Sequence, residues 1–275
     1  MTRSREAPYT DAKPGGGRLG ADVNRVRQLL LVLALGLLAG RAHAQAVAVA
    51  AAADLQTVLP ELAARFEKDS GRRVQLTFGS SGNFFAQIQS GAPFDVFLSA
   101  DITYPRRLEQ SGLAEPSTLK RYAVGRIVLW TRADSGIDIS RVLQTLVGPG
   151  VRRIALANPA HAPYGRAAVE ALRHAGVYEK ARTRFVLGEN ISQAAQFVQS
   201  GNADVGIIAL SLALAPAMKA SGVYVEIPPS LHPPIEQGAV VLKAARDKAA
   251  ARDFLAFLGR ADSVSLLRAS GFEVP

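Results

Sequence analysis

The chain has 275 residues, no cysteine and a formal net charge of +9. The missing cysteines exclude a disulfide framework and thiolate metal sites. Of the charge, +4 belongs to the first 44 residues. The remaining +5 is dispersed, without basic runs or interleaved aromatics, which argues against nucleic acid as a partner.

At the N-terminus, residues 29–40 (LLLVLALGLLAG) form an uncharged apolar run, preceded by Arg18, Arg25 and Arg27 and followed by Ala42-His43-Ala44. This is the three-part pattern of a secretory signal. The run of 12 residues is shorter than the ~20 that a spanning helix needs. Cleavage is expected after Ala44, leaving 231 residues from Gln45 to Pro275, enough for two modest lobes. A lipoprotein needs cysteine at the cleavage point, where this chain has Gln45. A free, soluble periplasmic protein is therefore expected. Residues 1–24 are polar and rich in Gly and Pro, and read as an extended n-region or as the product of an upstream start codon.

Beyond the signal, apolar strand-like runs alternate with helical periodicity, the α/β signature. Residues 47–52 (VAVAAA) read as a buried strand. Residues 55–69 read as a helix, with Leu55, Val58, Leu59, Leu62 and Phe66 on one face. Strands at 73–78 and 94–98 and helices at 83–90 and 104–111 continue the unit. The long run 122–130 (YAVGRIVLW) marks a change, after which a second set begins: strands at 153–157, 184–187 and 205–209, and helices at 164–175 and 192–199. A proline-rich crossing at 224–234, a strand at 238–243 and helices at 248–258 and 262–269 complete the chain. The expected architecture is α/β, two lobes with mostly parallel sheets flanked by helices and a hinge between them. Residues 45–125 with 229–275 form lobe one and residues 126–228 form lobe two. In such sheets ligands sit beyond the carboxyl ends of the strands, and two facing lobes make a cleft that closes by hinge motion.

Four strand-to-helix loops are the candidates for chemistry: Ala53-Asp54, residues 79–83 (GSSGN), residues 158–164 (NPAHAPY) and residues 188–191 (GENI). Each precedes a helix, where free N–H groups and the positive dipole end favour an anion. Ser80 and Ser81 add hydroxyls. Taken singly, Asp54, Ser81 and Asn190 read equally well as helix N-caps. Four such loops divided between two lobes point instead to a shared anion site. No basic residue is committed to them, so neutral dipoles would hold the ligand.

At these loops the sequence resembles the periplasmic molybdate-binding proteins of ABC transporters. The matching pieces are AAADL at Ala51, FGSSGNF at Phe78, GAPFDVFLSAD at Gly91, ANPAHAPYGRAA at Ala157, GENI at Gly188, ADVGII at Ala203 and GFEVP at Gly271. The resemblance implies a type II periplasmic-binding fold and a tetrahedral molybdate dianion in the cleft, with tungstate as a close competitor. Molybdenum would be bound as the oxyanion, with no direct metal ligand and no cofactor. The implied partner is the membrane permease of an ABC importer, engaged transiently by a monomer. Carried over by position, the oxyanion-binding residues are Asp54, Ser81, Tyr164 and Ile191. Ser81 acts through hydroxyl and N–H, and Tyr164 and Ile191 act through backbone N–H. Two positions depart from well-studied members: the first-loop serine is Asp54 here, and a tyrosine after the GII strand is Ala209.

Asp54 is the difficult position, because a carboxylate beside a dianion is repelled. Either it turns away and caps a helix beginning at Leu55, accepting from the N–H of Gln56 or Thr57, or it accepts a proton carried by the ligand, which would favour hydrogen phosphate.

Enzyme readings find little support. His43 leaves with the signal, and His161, His174 and His232 lack metal-ligand spacing. Ser80-Ser81 has no activating partner motif, and the Gly15-Gly16-Gly17 run lies in the leader, so it is no nucleotide loop. His161 is expected to order its loop, and Asp95 and Asp101 to order the turns around the third strand. A regulator's sensing domain would need a helix-turn-helix where the signal stands. Receptors for tungstate, sulfate or phosphate remain as alternatives to molybdate.

Overall fold

The computed structural model describes residues 46–275, together with positions 2, 7, 10 and 11. Apart from those four positions, the expected signal segment 1–44 and its cleavage point at Gln45 lie outside the described residues.

The first sheet contains β1 (Val47–Ala52), β2 (Val74–Gly79), β3 (Val96–Ser99), β4 (Lys120–Gly125) and, from late in the chain, β10 (Ile235–Val241). The second contains β5 (Ile127–Arg132), β6 (Ile154–Ala157), β7 (Phe185–Gly188), β8 (Val205–Ala209) and β9 (Gly222–Glu226). Their orders are β2-β1-β3-β10-β4 and β7-β6-β8-β5-β9. In each sheet three strands run parallel, one strand (β10 in the first, β5 in the second) runs against them, and the edge strand beyond it (β4, β9) pairs antiparallel with that one. The sheets are thus mixed. β1 is a continuous apolar run because it is buried along its whole length, as parallel strands covered on both faces are.

Between the strands lie α1 (Leu59–Ser70), α2 (Ser81–Gln89), α3 (Thr103–Gln110), α4 (Pro163–His174), α5 (Tyr178–Ala181), α6 (Ile191–Gln199), α7 (Leu210–Ala213) and α8 (Pro216–Ser221). The chain finishes with α9 (Lys248–Leu258) and α10 (Ala261–Ala269). α1 buries Leu59, Leu62, Ala63 and Phe66. Phe66 meets Phe254 and Phe257 of α9 edge-on, at 5.2 and 5.6 Å. A buried Phe contributes about 1.5–3 kcal/mol, so this cluster ties the last helices to lobe one. Glu273 also exchanges main-chain hydrogen bonds with Val124 of β4.

The run at 122–130, read as one apolar stretch, is two strands in different sheets. β4 ends at Gly125 and β5 starts at Ile127, so the chain changes sheet at Arg126. The return crosses from β9 to β10 through residues 227–234, which hold a short 3-10 turn at Pro229–Leu231. The Arg126 guanidinium pairs with Glu226, at the end of β9, and lies 3.7 Å from Glu273. One side chain thus touches both crossings and the C-terminal return.

The first helix also differs from the expectation. Residues 53–55 form a separate 3-10 turn, and α1 starts only at Leu59, with Pro60 in its first turn. Proline suits a helix's first turn, where its missing N–H has no acceptor to lose.

Candidate functional site

The carboxyl ends of β1, β2, β6 and β7 face a small, tightly closed cavity, about 10 Å³, at the junction of the lobes. Its lining includes Ala53, Asp54, Ser80 and Ser81 from lobe one, and Tyr164, Asn190 and Ile191 from lobe two. All four predicted site residues therefore meet there, although 137 positions separate the first from the last. They are enclosed as well as adjacent: Asp54, Ser81, Tyr164 and Ile191 are 0%, 1%, 2% and 4% exposed.

The local folding explains what each can offer. Ser81 and Ile191 are the first residues of α2 and α6, and Tyr164 is the second of α4. N–H groups in a helix's first turn have no intrahelical acceptor, and the dipole adds positive potential there. The Ser81 hydroxyl accepts from the Ala100 N–H at 2.9 Å, so its own proton is free to be donated. Ser81 is not an N-cap. The cap is Ser80, whose side chain makes no capping bond. Asn190 is an ordinary cap, its Oδ1 accepting from the Gln193 N–H at 3.0 Å. Among the described residues, no lysine or arginine lines the cavity.

Asp54 does not cap. In place of the Gln56 or Thr57 N–H, its Oδ2 accepts from the Tyr164 hydroxyl at 2.9 Å and the Gln237 amide at 2.5 Å. The cap fails because the helix it was meant to serve begins at Leu59, too far along the chain. Oδ1 is buried and, among the described residues, has no hydrogen-bond partner. The Gln237 amide is itself oriented by the Tyr122 hydroxyl, which donates to its Oε1 at 2.6 Å. Burial pushes the Asp54 carboxyl up to about 6, against the opposing effect of the Gln237 and Tyr164 hydrogen bonds. Burial first, and the Asp54 charge second, push the Tyr122 and Tyr164 phenols up. Gln237 and Tyr122 were not singled out as site residues from the sequence. The available signal was a lone glutamine beside a strand otherwise apolar, GAVV.

Tyr164 reaches this network because position 125 is glycine. A Cβ there would lie 2.1 Å from the Tyr164 hydroxyl oxygen. Ala209 lies at the end of β8, fully buried and outside the cavity lining. Just beyond it, the Ser211 hydroxyl donates to the Asp54 carbonyl at 2.8 Å.

Contacts around the cavity hold the lobes together. The Gly82 N–H and the Ser80 hydroxyl both donate to the His161 carbonyl, at 3.0 and 2.6 Å. His161 thus orders its loop and also bridges the lobes. Asp101 accepts from the Thr103 N–H and pairs with Arg166 across the cleft at 2.5 Å. Asp95 accepts from the Ala48 and Arg246 N–H groups, fixing the start of β3.

A larger open groove alongside, about 550 Å³, carries Asp101, Glu170 and Glu236 as well as Arg166 and Arg173. Its carboxylates disfavour a small dianion, whereas the helix starts converge on the smaller cavity. The arrangement there can hold a compact anion with neutral donors from both lobes. Among the described residues, no group of three or more His, Cys, Asp or Glu could hold a metal ion.

Comparison with known proteins agrees with this geometry. Residues 47–273 match the family model of bacterial extracellular solute-binding proteins. The molybdate-binding protein ModA of Azotobacter vinelandii is 38% identical over 245 residues, covering 89% of this chain and 96% of that one. ModA of Rhodobacter capsulatus is 38% identical over 243 residues, covering 88% and 93%. Among solved structures, the periplasmic molybdate-binding protein of A. vinelandii superposes with a TM-score of 0.79 at 36% identity, over 83% of this chain and 99% of that one.

Proposed function

The chain belongs to the bacterial extracellular solute-binding protein family, and from that premise we propose that it captures molybdate between its lobes and delivers it to an ABC importer. The observation that carries this reading is the convergence of three helix starts from two lobes on one small cavity that, among the described residues, contains no basic side chain. Fixed N–H groups select an anion by reach and cavity size, and neutral donors permit release. The similarity to two ModA proteins over most of their length supports molybdate as the anion.

On this reading Ser81 donates through hydroxyl and N–H, Tyr164 and Ile191 donate through N–H, and Asp54 completes the wall. Residues 45–125 with 229–275 move as one lobe and residues 126–228 as the other, hinged at Arg126 and residues 227–234. The protein is no enzyme and needs no cofactor. It works in the periplasm as a monomer, after removal of the signal at Ala44, and meets its permease transiently. Tungstate, of the same charge and shape, competes.

Competition titration of the mature protein tests this. Molybdate and tungstate should bind in the same site and displace one another, while sulfate and phosphate displace neither at equal concentration. Sulfate or phosphate binding more tightly than molybdate would refute the assignment.

A further inference from the structure

One group in the cavity wall has no part in an account built on neutral donors. Asp54 lines the cavity and is completely buried. Its Oδ2 is committed to Tyr164 and Gln237, and its Oδ1 has no partner among the described residues. An ionised carboxylate so placed would leave a charged oxygen both desolvated and unpaired, and a dianion in the same cavity would repel it.

Among the described residues, no cation compensates that charge. The 3-10 turn that carries Asp54 packs against α6, α7 and β2, and none of these contains a titratable side chain. β1, which precedes it, has none either. The titratable neighbours are Tyr164 of α4 and Tyr122 of β4, both held neutral. On β4 and β10, Arg121 and Glu236 pair with one another, and Lys120 is exposed. On α4, Arg166 pairs with Asp101 and Arg173 with Glu170.

Building on the molybdate reading, we propose that Asp54 is a proton-carrying residue of the binding site: it is the neutral acid when a dianion is bound, its proton on Oδ1, so that capture takes up one proton from solvent. The neutral acid resolves the unpaired atom. Oδ2, now the carbonyl oxygen, still accepts from Tyr164 and Gln237, and the Oδ1–H supplies one more donor to the cavity. Even against its hydrogen bonds, burial raises this carboxyl to about 6, and a dianion raises it further. The proton makes Asp54 a specificity residue. A ligand that brings its own proton, such as hydrogen phosphate, needs Asp54 ionised, whereas a fully ionised anion needs it neutral.

The test is calorimetric titration of the whole mature protein with molybdate, in buffers of different ionisation enthalpy. About one proton should be taken up per molybdate above neutral pH, with Kd rising about tenfold per pH unit between about pH 7 and about pH 8.5. Asp54→Asn, which mimics the neutral acid, should still bind molybdate, with no proton uptake and a flat pH profile. Should that variant misfold, proton uptake by the wild type decides alone. Molybdate binding without proton uptake, or an Asp54→Asn protein that keeps the pH slope, would overturn the proposal and leave the molybdate reading standing. Phosphate bound by the wild type and lost in Asp54→Asn would place the proton on the ligand and also overturn it. If neither molybdate nor tungstate binds at any pH, both readings fall.

Discussion

The Tyr164 hydroxyl, from the first turn of α4 in lobe two, donates to the Asp54 carboxyl of lobe one at 2.9 Å. Its N–H, free of any intrahelical acceptor, belongs to the same cavity. One residue therefore serves the anion through its backbone and the closed arrangement of the lobes through its side chain.

Tyr164→Phe separates these roles. It deletes the interlobe hydrogen bond and keeps the N–H and the ring. A hydrogen bond between uncharged groups contributes about 1 kcal/mol, so molybdate affinity should fall about fivefold in calorimetry, with no change in stoichiometry.

Ser81 and Ile191 should respond differently. Ser81→Ala removes a hydroxyl whose oxygen already accepts from Ala100, and with it a donor to a charged ligand. The expected loss of binding is about 1.5–3 kcal/mol. Ile191→Val leaves the N–H in place and should be nearly silent in the same titration. Comparable large losses in both would mean that the side chain of Ile191, and not its backbone, meets the ligand.

Gly82 tests closure itself. A Cβ at this position would lie 2.6 Å from the His161 carbonyl oxygen across the cleft. Overpacking of this kind costs about 1–3 kcal/mol, and here only the closed form bears that cost. Gly82→Ala should weaken molybdate binding by about that amount. Small-angle scattering should show a more open particle at saturating molybdate than for the wild type.

The unliganded protein should also carry a stability signature of Asp54. Its carboxyl lies at about 6 when folded, against an ordinary value of 3.8. The folded state therefore holds the proton over a range where the unfolded state has lost it. Stability from this group is fully present below about pH 4 and declines as pH rises towards about 6, by about 3 kcal/mol in all. This is the reverse of a salt-bridged aspartate. Chemical denaturation between those pH values should show the decline in wild type and lose that component in Asp54→Asn.

Much of this site was legible in the sequence because strand-to-helix loops are local. Glycines, serines and the NPAHAPY stretch mark where helices begin, and helix starts are where anions bind. The lobe change was harder to place, since β4 and β5 are one apolar run and only Arg126, a charged residue between buried ones, marks the break. The role of Asp54 was misread for a local reason: an aspartate ahead of an apolar helical pattern reads as a cap. The competing interaction is non-local. Its partners Tyr164 and Gln237 lie 110 and 183 positions away, brought together by a strand that returns from the other lobe. No pattern within a window around Asp54 contains them.

The central claim is that this particular cavity holds molybdate, and anomalous diffraction at the molybdenum edge tests it most directly, on crystals of the mature protein grown with molybdate. The account predicts one strong peak per chain, enclosed by Asp54, Ser81, Tyr164 and Ile191, with oxygens within hydrogen-bonding distance of the Ser81 hydroxyl and of the N–H groups of Ser81, Tyr164 and Ile191. A peak in the neighbouring groove beside Arg166 and Arg173, or no peak from protein saturated with molybdate, would contradict it.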